Sequence, residues 1–415
     1  MHGKPGTGKG GQVTNEEFEA RKRSAGRALK APGFLRAAAL ALAALVLPAA
    51  GALAQAPATQ KDAAALGRSL AAAFNERSVD AFIKVVDADS FSRIVLTDLG
   101  LGAADQEALR KRLPLSVRKN AEMSMRAIAQ NEGTARYLRT GVEGGKPYAV
   151  VRLDMGDQGV DYIKYYASSP RAVDDWYIFT AASLFSSAVR FNLATIFKSE
   201  SVLFRLFGVP SVSPRDARAF IEVRESLAKN DYAGAFKALE KFPRDYRKSR
   251  QWAIMRVTYG AHAGEENYRR ALRHLAAAYG GDADLQLTLI DHYFYEKQFD
   301  RALDAVAALE RAVGGEDAST NGLRGNLLTA LERSGEAEAA CRRGIALEPD
   351  FKPSYWCLIS LATGRNDGKL AVGALMAYEK AFDVHFDPAE LAQQEGYEDI
   401  SKTREFVAWA RARRP

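Results

Sequence analysis

The chain has 415 residues, a formal net charge of +7 and 47% hydrophobic residues, the balance of a globular protein with room for two or three domains. Eight basic and three acidic residues fall within 1–54, so +5 of the charge sits there and the remaining residues carry only +2. The basic balance is therefore no sign of a nucleic-acid-binding protein.

The first predicted element is a secretory signal over 21–54. A basic stretch from Arg21 to Arg36 leads into an alanine- and leucine-rich run, Ala37 to Leu47, which Pro48 ends. Ala52-Leu53-Ala54 before Gln55 has the small-x-small spacing of a cleavage site. The run is too short for a comfortable membrane span. The reading is export, to the periplasm or an envelope-associated position, with cleavage or retention as an anchor left open. No cysteine follows the run to carry a lipid, and Arg21-Lys22-Arg23 lacks the consecutive arginines of a twin-arginine signal. Upstream, Gly3 to Gly10 nearly spells a phosphate-binding loop. Its last position is Gly10, where a Mg²⁺-binding hydroxyl is required, so no nucleotide site is assigned.

Residues 62–206 are expected to form an α+β domain. Leu66, Leu70 and Phe74 recur at spacing four, predicting a helix over Asp62–Asn75, and a shorter one follows over Ser78–Val86. A helical pattern from Ala103 to Asn131 is interrupted at Pro114. The period then changes to two. Thr134–Thr140, Pro147–Met155, Val160–Ala167 and Ala172–Thr180 read as four strands, separated by Gly-, Ser- and Pro-bearing turns. A helix over Ala182–Leu206 closes the domain, with Phe185, Val189, Leu193 and Phe197 on one stripe. This element order resembles the cone-shaped nuclear transport factor 2-like fold. Some enzymes on that cone use a buried acid with tyrosine donors. Asp161, Asp174 and Asp175 lie on or near strands here, but no base–donor pair is placed, so no catalytic residue is assigned.

Residues 207–213 form the linker, rich in Pro, Gly and Ser. Beyond it, from 214 to 384, three phrases recur in which an aromatic precedes an alanine by three residues: Tyr232 and Ala235, Tyr268 and Ala271, Phe299 and Ala302. The spacing fits a helix–turn–helix repeat. Leu289, Tyr293, Phe299 and Ala302 match the large apolar, aromatic, aromatic and small positions of a tetratricopeptide unit, which this region resembles. Gln286 and Ile290 depart from that family's Trp and Gly. Five hairpins are expected, with 385–415 as closing helices. The fold class is thus an α+β domain, with helices and a four-strand antiparallel sheet, followed by an all-α helical-hairpin repeat solenoid.

The resemblance implies a concave face lined by the first helix of each pair. In that register Phe220, Arg224, Arg256, Asp291, Tyr295 and Glu332 point into it. Mixed charge with aromatics suits a protein or peptide partner rather than a phosphate backbone. Histidines 262, 274, 292 and 385 have no ligand spacing, and no nucleophile elbow, zinc motif or nucleotide fingerprint follows the leader. No catalytic, cofactor-binding or metal residues are assigned. Cys341 and Cys357 flank Pro349 at equal distances, across an expected hairpin turn. Export would place them in an oxidising compartment. They form either a disulfide or two buried thiols acting as small hydrophobes. The function expected is a non-enzymatic interaction scaffold or adaptor of the cell envelope. The alternative is a cone that binds or transforms a small apolar ligand, with the repeats docking it to a partner.

Overall fold

The computed structural model describes residues 11–12, 57–97, 99, 101–156, 159–197 and 214–413. The signal with its cleavage point, the Gly3–Gly10 stretch and the 207–213 linker lie outside the described residues.

Helix α1, Gln60–Asn75, opens on a capping box between Thr59 and Asp62, which satisfies two amide donors that the first turn would leave bare. Its stripe of Leu66, Leu70 and Phe74 is buried. A methyl group at Gly67 would come within 2.6 Å of both Ala149 and the Tyr137 ring, so only hydrogen fits where α1 crosses the sheet. Helix α2 covers Val79–Lys84 and α3 covers Ala88–Leu96. The Ala103–Asn131 pattern resolves into α4, Ala103–Arg110, and α5, Leu113–Gln130. Pro114 sits in the first turn of α5, where its missing amide costs nothing.

Strands β1 (Thr134–Glu143), β2 (Lys146–Asp154), β3 (Val160–Ser169), β4 (Ala172–Ile178) and β5 (Ser183–Leu184) form one antiparallel sheet in chain order. Gly144 and Gly145 both have positive φ and close the β1–β2 hairpin, the geometry a tight two-residue turn demands. The outer edge of β1 is blunted at Ala135. Asn75 at the end of α1 accepts from its amide at 2.7 Å and donates to its carbonyl at 2.9 Å. The expectation of four strands is corrected to five. Ser183 and Leu184 pair with Ile178 and Tyr177, and Ala182 is left-handed at φ 43°, so the closing helix cannot start there. That helix, α6, runs Phe185–Phe197 and buries Phe185, Val189 and Leu193.

A region of many helices follows. It holds α7 (Pro214–Ala228) and α8 (Tyr232–Leu239), then α9 (Arg250–His262) and α10 (Glu265–Tyr279). Next come α11 (Gln286–Tyr295), α12 (Phe299–Val313), α13 (Ala318–Ala330) and α14 (Ser334–Leu347). The series continues through α15 (Lys352–Gly364), α16 (Gly368–Phe382), α17 (Pro388–Ala392) and α18 (Arg404–Arg411). One turn geometry recurs. Asn230, Lys297, Glu332 and Asn366 are all left-handed, each two residues before a helix begins. Ala235, Ala271 and Ala302 are fully buried, the place for a small side chain at a helix crossing.

The chain divides into two compact units. Among the described residues, one holds those from 57 to Glu296 with Arg311–Gly314; the other holds Gly11–Gln12, Lys297–Glu310 and 315–413. In the first, Arg250 at the start of α9 donates from Nε to Asp282 at 2.9 Å and from Nη1 to the Ala182 carbonyl at 3.1 Å. In the second, Tyr397, Ile400, Phe406 and Trp409 are buried in one cluster with Trp356, Leu375 and Tyr378 of the last helical pair.

Candidate functional site

Several aromatic side chains cluster in the interior of the sheet domain. Trp176 of β4 stacks on Phe185 at 4.5 Å and on Phe91 at 5.8 Å, and meets Phe82 edge-on at 6.0 Å. Tyr165 lies 5.8 Å from the same indole, and Phe74 is 5.4 Å from Phe82. Trp176 and Phe91 have no exposed surface.

The three strand carboxylates are committed to structure. Asp161 accepts from the Thr180 amide at 3.1 Å and from its hydroxyl at 2.6 Å. Burial pushes the Asp161 carboxyl up to about 6, against those hydrogen bonds. Asp175 accepts from the Trp176 amide at 2.9 Å, the Ser186 amide at 3.1 Å and the Ser186 hydroxyl at 2.6 Å. It thereby ties the first turn of α6 to β4. Burial raises its pKa, and the bonds to Ser186 oppose the rise. Asp174 pairs with Lys146 at 3.2 Å.

The six residues assigned to the concave face separate. Phe220 is a core residue, 4.2 Å from the Phe242 ring and 5.4 Å from Tyr246. Asp291 has no exposed surface and accepts the Tyr268 hydroxyl at 2.5 Å. Arg256 is buried, with its guanidinium 2.8 Å from Glu240 and above the Trp252 ring at 4.7 Å. These three are corrected from contact residues to interior ones, because each side chain is buried against neighbouring side chains. Arg224 on α7 is exposed, and Tyr295 on α11 is half-buried with Arg269 over its ring at 5.1 Å. Glu332 is exposed but occupies the left-handed turn after α13, not a helix face.

Cys341 of α14 and Cys357 of α15 are joined as a disulfide with Cα–Cα 5.6 Å. The bridge rests on α13. A methyl group at Gly325 would fall 2.5 Å from one sulfur and 2.6 Å from the other. Among the histidines, His262 stacks on Tyr232 at 4.4 Å and His274 meets Trp252 edge-on at 5.3 Å. Burial, and then Arg256, holds the His274 pKa below its ordinary value. Among the described residues no group of three or more His, Cys, Asp or Glu is placed to hold a metal ion, and no helix is long and apolar enough to cross a membrane.

An arginine cluster lies on and between α8, α9 and α10, marked by no motif in the sequence. Arg256 and Arg270 place their guanidinium carbons 5.3 and 5.4 Å from the centre of one ring, Phe236. Burial lowers the Arg256 pKa; Glu240 opposes that shift, while Arg270 and Arg247 add to it. The signal in the sequence is the density of basic residues from Lys237 to Arg273, ten against four acids.

No family model matches the chain, and no curated protein does. Among solved structures it is similar to MamA, residues 41 to the end, from Desulfovibrio magneticus RS-1. The identity is 13% and the TM-score 0.34, covering 42% of this chain and 96% of that one. A MamA RS-1 ArsTM double mutant gives the same identity and TM-score over 41% of this chain. A likeness this partial leaves fold and function to rest on the chain's own geometry.

Proposed function

We propose that the chain is an exported, non-enzymatic interaction scaffold of the cell envelope, in which tetratricopeptide-like helical pairs bind a protein or peptide segment. The observation that carries this reading is the recurrence of one turn: a left-handed residue two positions before the start of a helix, at 230, 297, 332 and 366. Stacked units of this kind bury their apolar faces against each other and leave their first helices as a surface for a partner. Arg224 and Tyr295 lie on such helices and retain exposed surface. The Cys341–Cys357 bridge supports export, since disulfides persist in oxidising compartments.

The alternative, a cone that takes a small apolar ligand, is less favoured, because Trp176, Phe91 and Phe185 stack on one another in the interior of the sheet domain. Asp161 and Asp175 are held by Thr180 and Ser186 rather than free to act as bases. The sheet domain is read as a second structural module of the nuclear transport factor 2-like kind.

The test places a photo-crosslinking residue at Arg224, at Tyr295 and, as control, at Lys369, in the full chain expressed in its own cells. The expected result is one discrete adduct shared by the first two positions and absent from the third. Adducts from no position, or from all three alike, would overturn the reading.

A further inference from the structure

The segment from Lys237 to Arg273 carries a net charge of +6, while the rest of the chain beyond residue 54 is net −4. Charge concentrated in this way creates a local field that selects for an oppositely charged surface. Two of its arginines converge on one ring, and a third lies near them. Arg256 and Arg270 stand over the Phe236 ring at 5.3 and 5.4 Å, and Arg247 is near enough to Arg256 to work against its charge. Glu240 is the one carboxylate bonded to Arg256, at 2.8 Å. Elsewhere in the segment, Lys241, Lys248, Arg250, Arg269 and Arg273 have acidic partners of their own. Arg247 has no ion-pair partner among the described residues, and Arg270 bonds only the side-chain oxygen of Asn267. Both are exposed.

The chemistry of the cluster favours carboxylates. It already holds one, from Glu240, in direct contact with a guanidinium fork. The two aromatic rings beneath the arginines, Phe236 and Trp252, are only 3% and 5% exposed. They offer no face on which a nucleic-acid base could stack. Among the described residues the exposed large hydrophobics are Val142 and Met376, neither in this segment, so nothing there would insert into a lipid surface. Arg247 lies in the connection after α8 and Arg270 on α10, a second helix, so these two arginines are not on the first helices described above.

We infer that Arg247 and Arg270, with Arg256 behind them, form a docking surface for an acidic segment of a protein partner. The inference deepens the scaffold reading and rests on it, but it names a second contact surface with its own chemistry. Glu240 and Phe236 position the buried arginine. Arg247 and Arg270 supply the free donors, and the partner supplies Asp or Glu side chains to meet them.

The test is fluorescence anisotropy with the purified full chain and a labelled peptide of alternating Glu and Asp. The comparison probes are its Gln/Asn counterpart, a single-stranded oligonucleotide and vesicles of anionic phospholipid. The acidic peptide should bind with marked salt dependence and the Gln/Asn peptide should not. Arg247→Glu with Arg270→Glu should weaken binding about tenfold or more. The milder pair Arg247→Gln with Arg270→Gln should weaken it less, and Lys369→Glu with Arg404→Glu should leave it within about twofold. An unchanged thermal midpoint in each variant shows that folding is intact. Failure of the acidic peptide to bind, equal binding by the variants, or tighter binding of oligonucleotide or vesicles through these arginines would overturn the inference. Crosslinking from Arg224 that persists in the double variant would leave the scaffold reading standing on its own.

Discussion

Tyr177 on β4 donates its hydroxyl to Asp284, 107 residues further along the chain, at 2.9 Å. The same carboxylate accepts from Arg250, whose guanidinium also reaches Asp282 and the Ala182 carbonyl. The end of the sheet is thus bonded to the helical region between α10 and α11, within one compact unit. Tyr177→Phe should destabilise this unit by about 1.5–3 kcal/mol, the value of a hydrogen bond to a charged group. Urea unfolding followed by tryptophan fluorescence would show an earlier midpoint. An unchanged midpoint would mean that the clamp adds nothing to stability.

The disulfide closes a short loop, with a sequence separation of 16. Replacing both Cys341 and Cys357 with Ser should cost about 3 kcal/mol by loss of chain constraint in the unfolded state. Calorimetry of the full chain would show the transition containing α13–α16 move to lower temperature while the other stays in place.

Gly325 has room only for hydrogen between the two sulfurs. Gly325→Ala should therefore cost about 1–3 kcal/mol through overpacking. The cost should shrink when both cysteines are replaced by Ala, because the obstructing atoms are then gone. A double-mutant cycle measures this coupling. Additive effects would contradict the packing described.

Asp161 gives a pH signature. Its folded-state pKa is raised from 3.8 to about 6 by burial. The folded chain holds that proton more tightly than the unfolded chain does. The stability it adds is complete below about pH 4 and is lost as pH rises through about 6, on the order of 2–3 kcal/mol. Asp161→Asn keeps an acceptor for Thr180 and has no proton to lose. The difference in stability between wild type and variant should change across pH 4–6 and be flat above pH 7.

Much of the fold was legible because its signals are periodic. Leu66, Leu70 and Phe74, and again Phe185, Val189 and Leu193, mark buried stripes at spacing four, and all six are buried. Helix α3 went unread because it has only nine residues, between polar stretches, with Phe91 and Val95 as its main stripe. Strand β5 is two residues long and has no period to read. The surface was less legible than the core. The repeat register gives the face of a helix, but it does not tell where a long side chain folds back. Arg256 lies over Trp252 and Phe236 instead of reaching into a groove. Phe220 packs on Phe242 and Tyr246, which lie in the connection after α8, a stretch without periodic pattern.

The proposed export would decide which partners the chain can meet, so its processing and redox state form the most direct test. The full chain would be expressed in its own cells, recovered from the envelope under acid quench with a thiol-blocking reagent, and weighed intact by mass spectrometry. The expected result is a chain beginning at Gln55 with Cys341 and Cys357 unlabelled and joined. Recovery from the cytoplasm, with residues 1–54 retained and both cysteines labelled, would contradict export and with it the proposed role at the cell envelope.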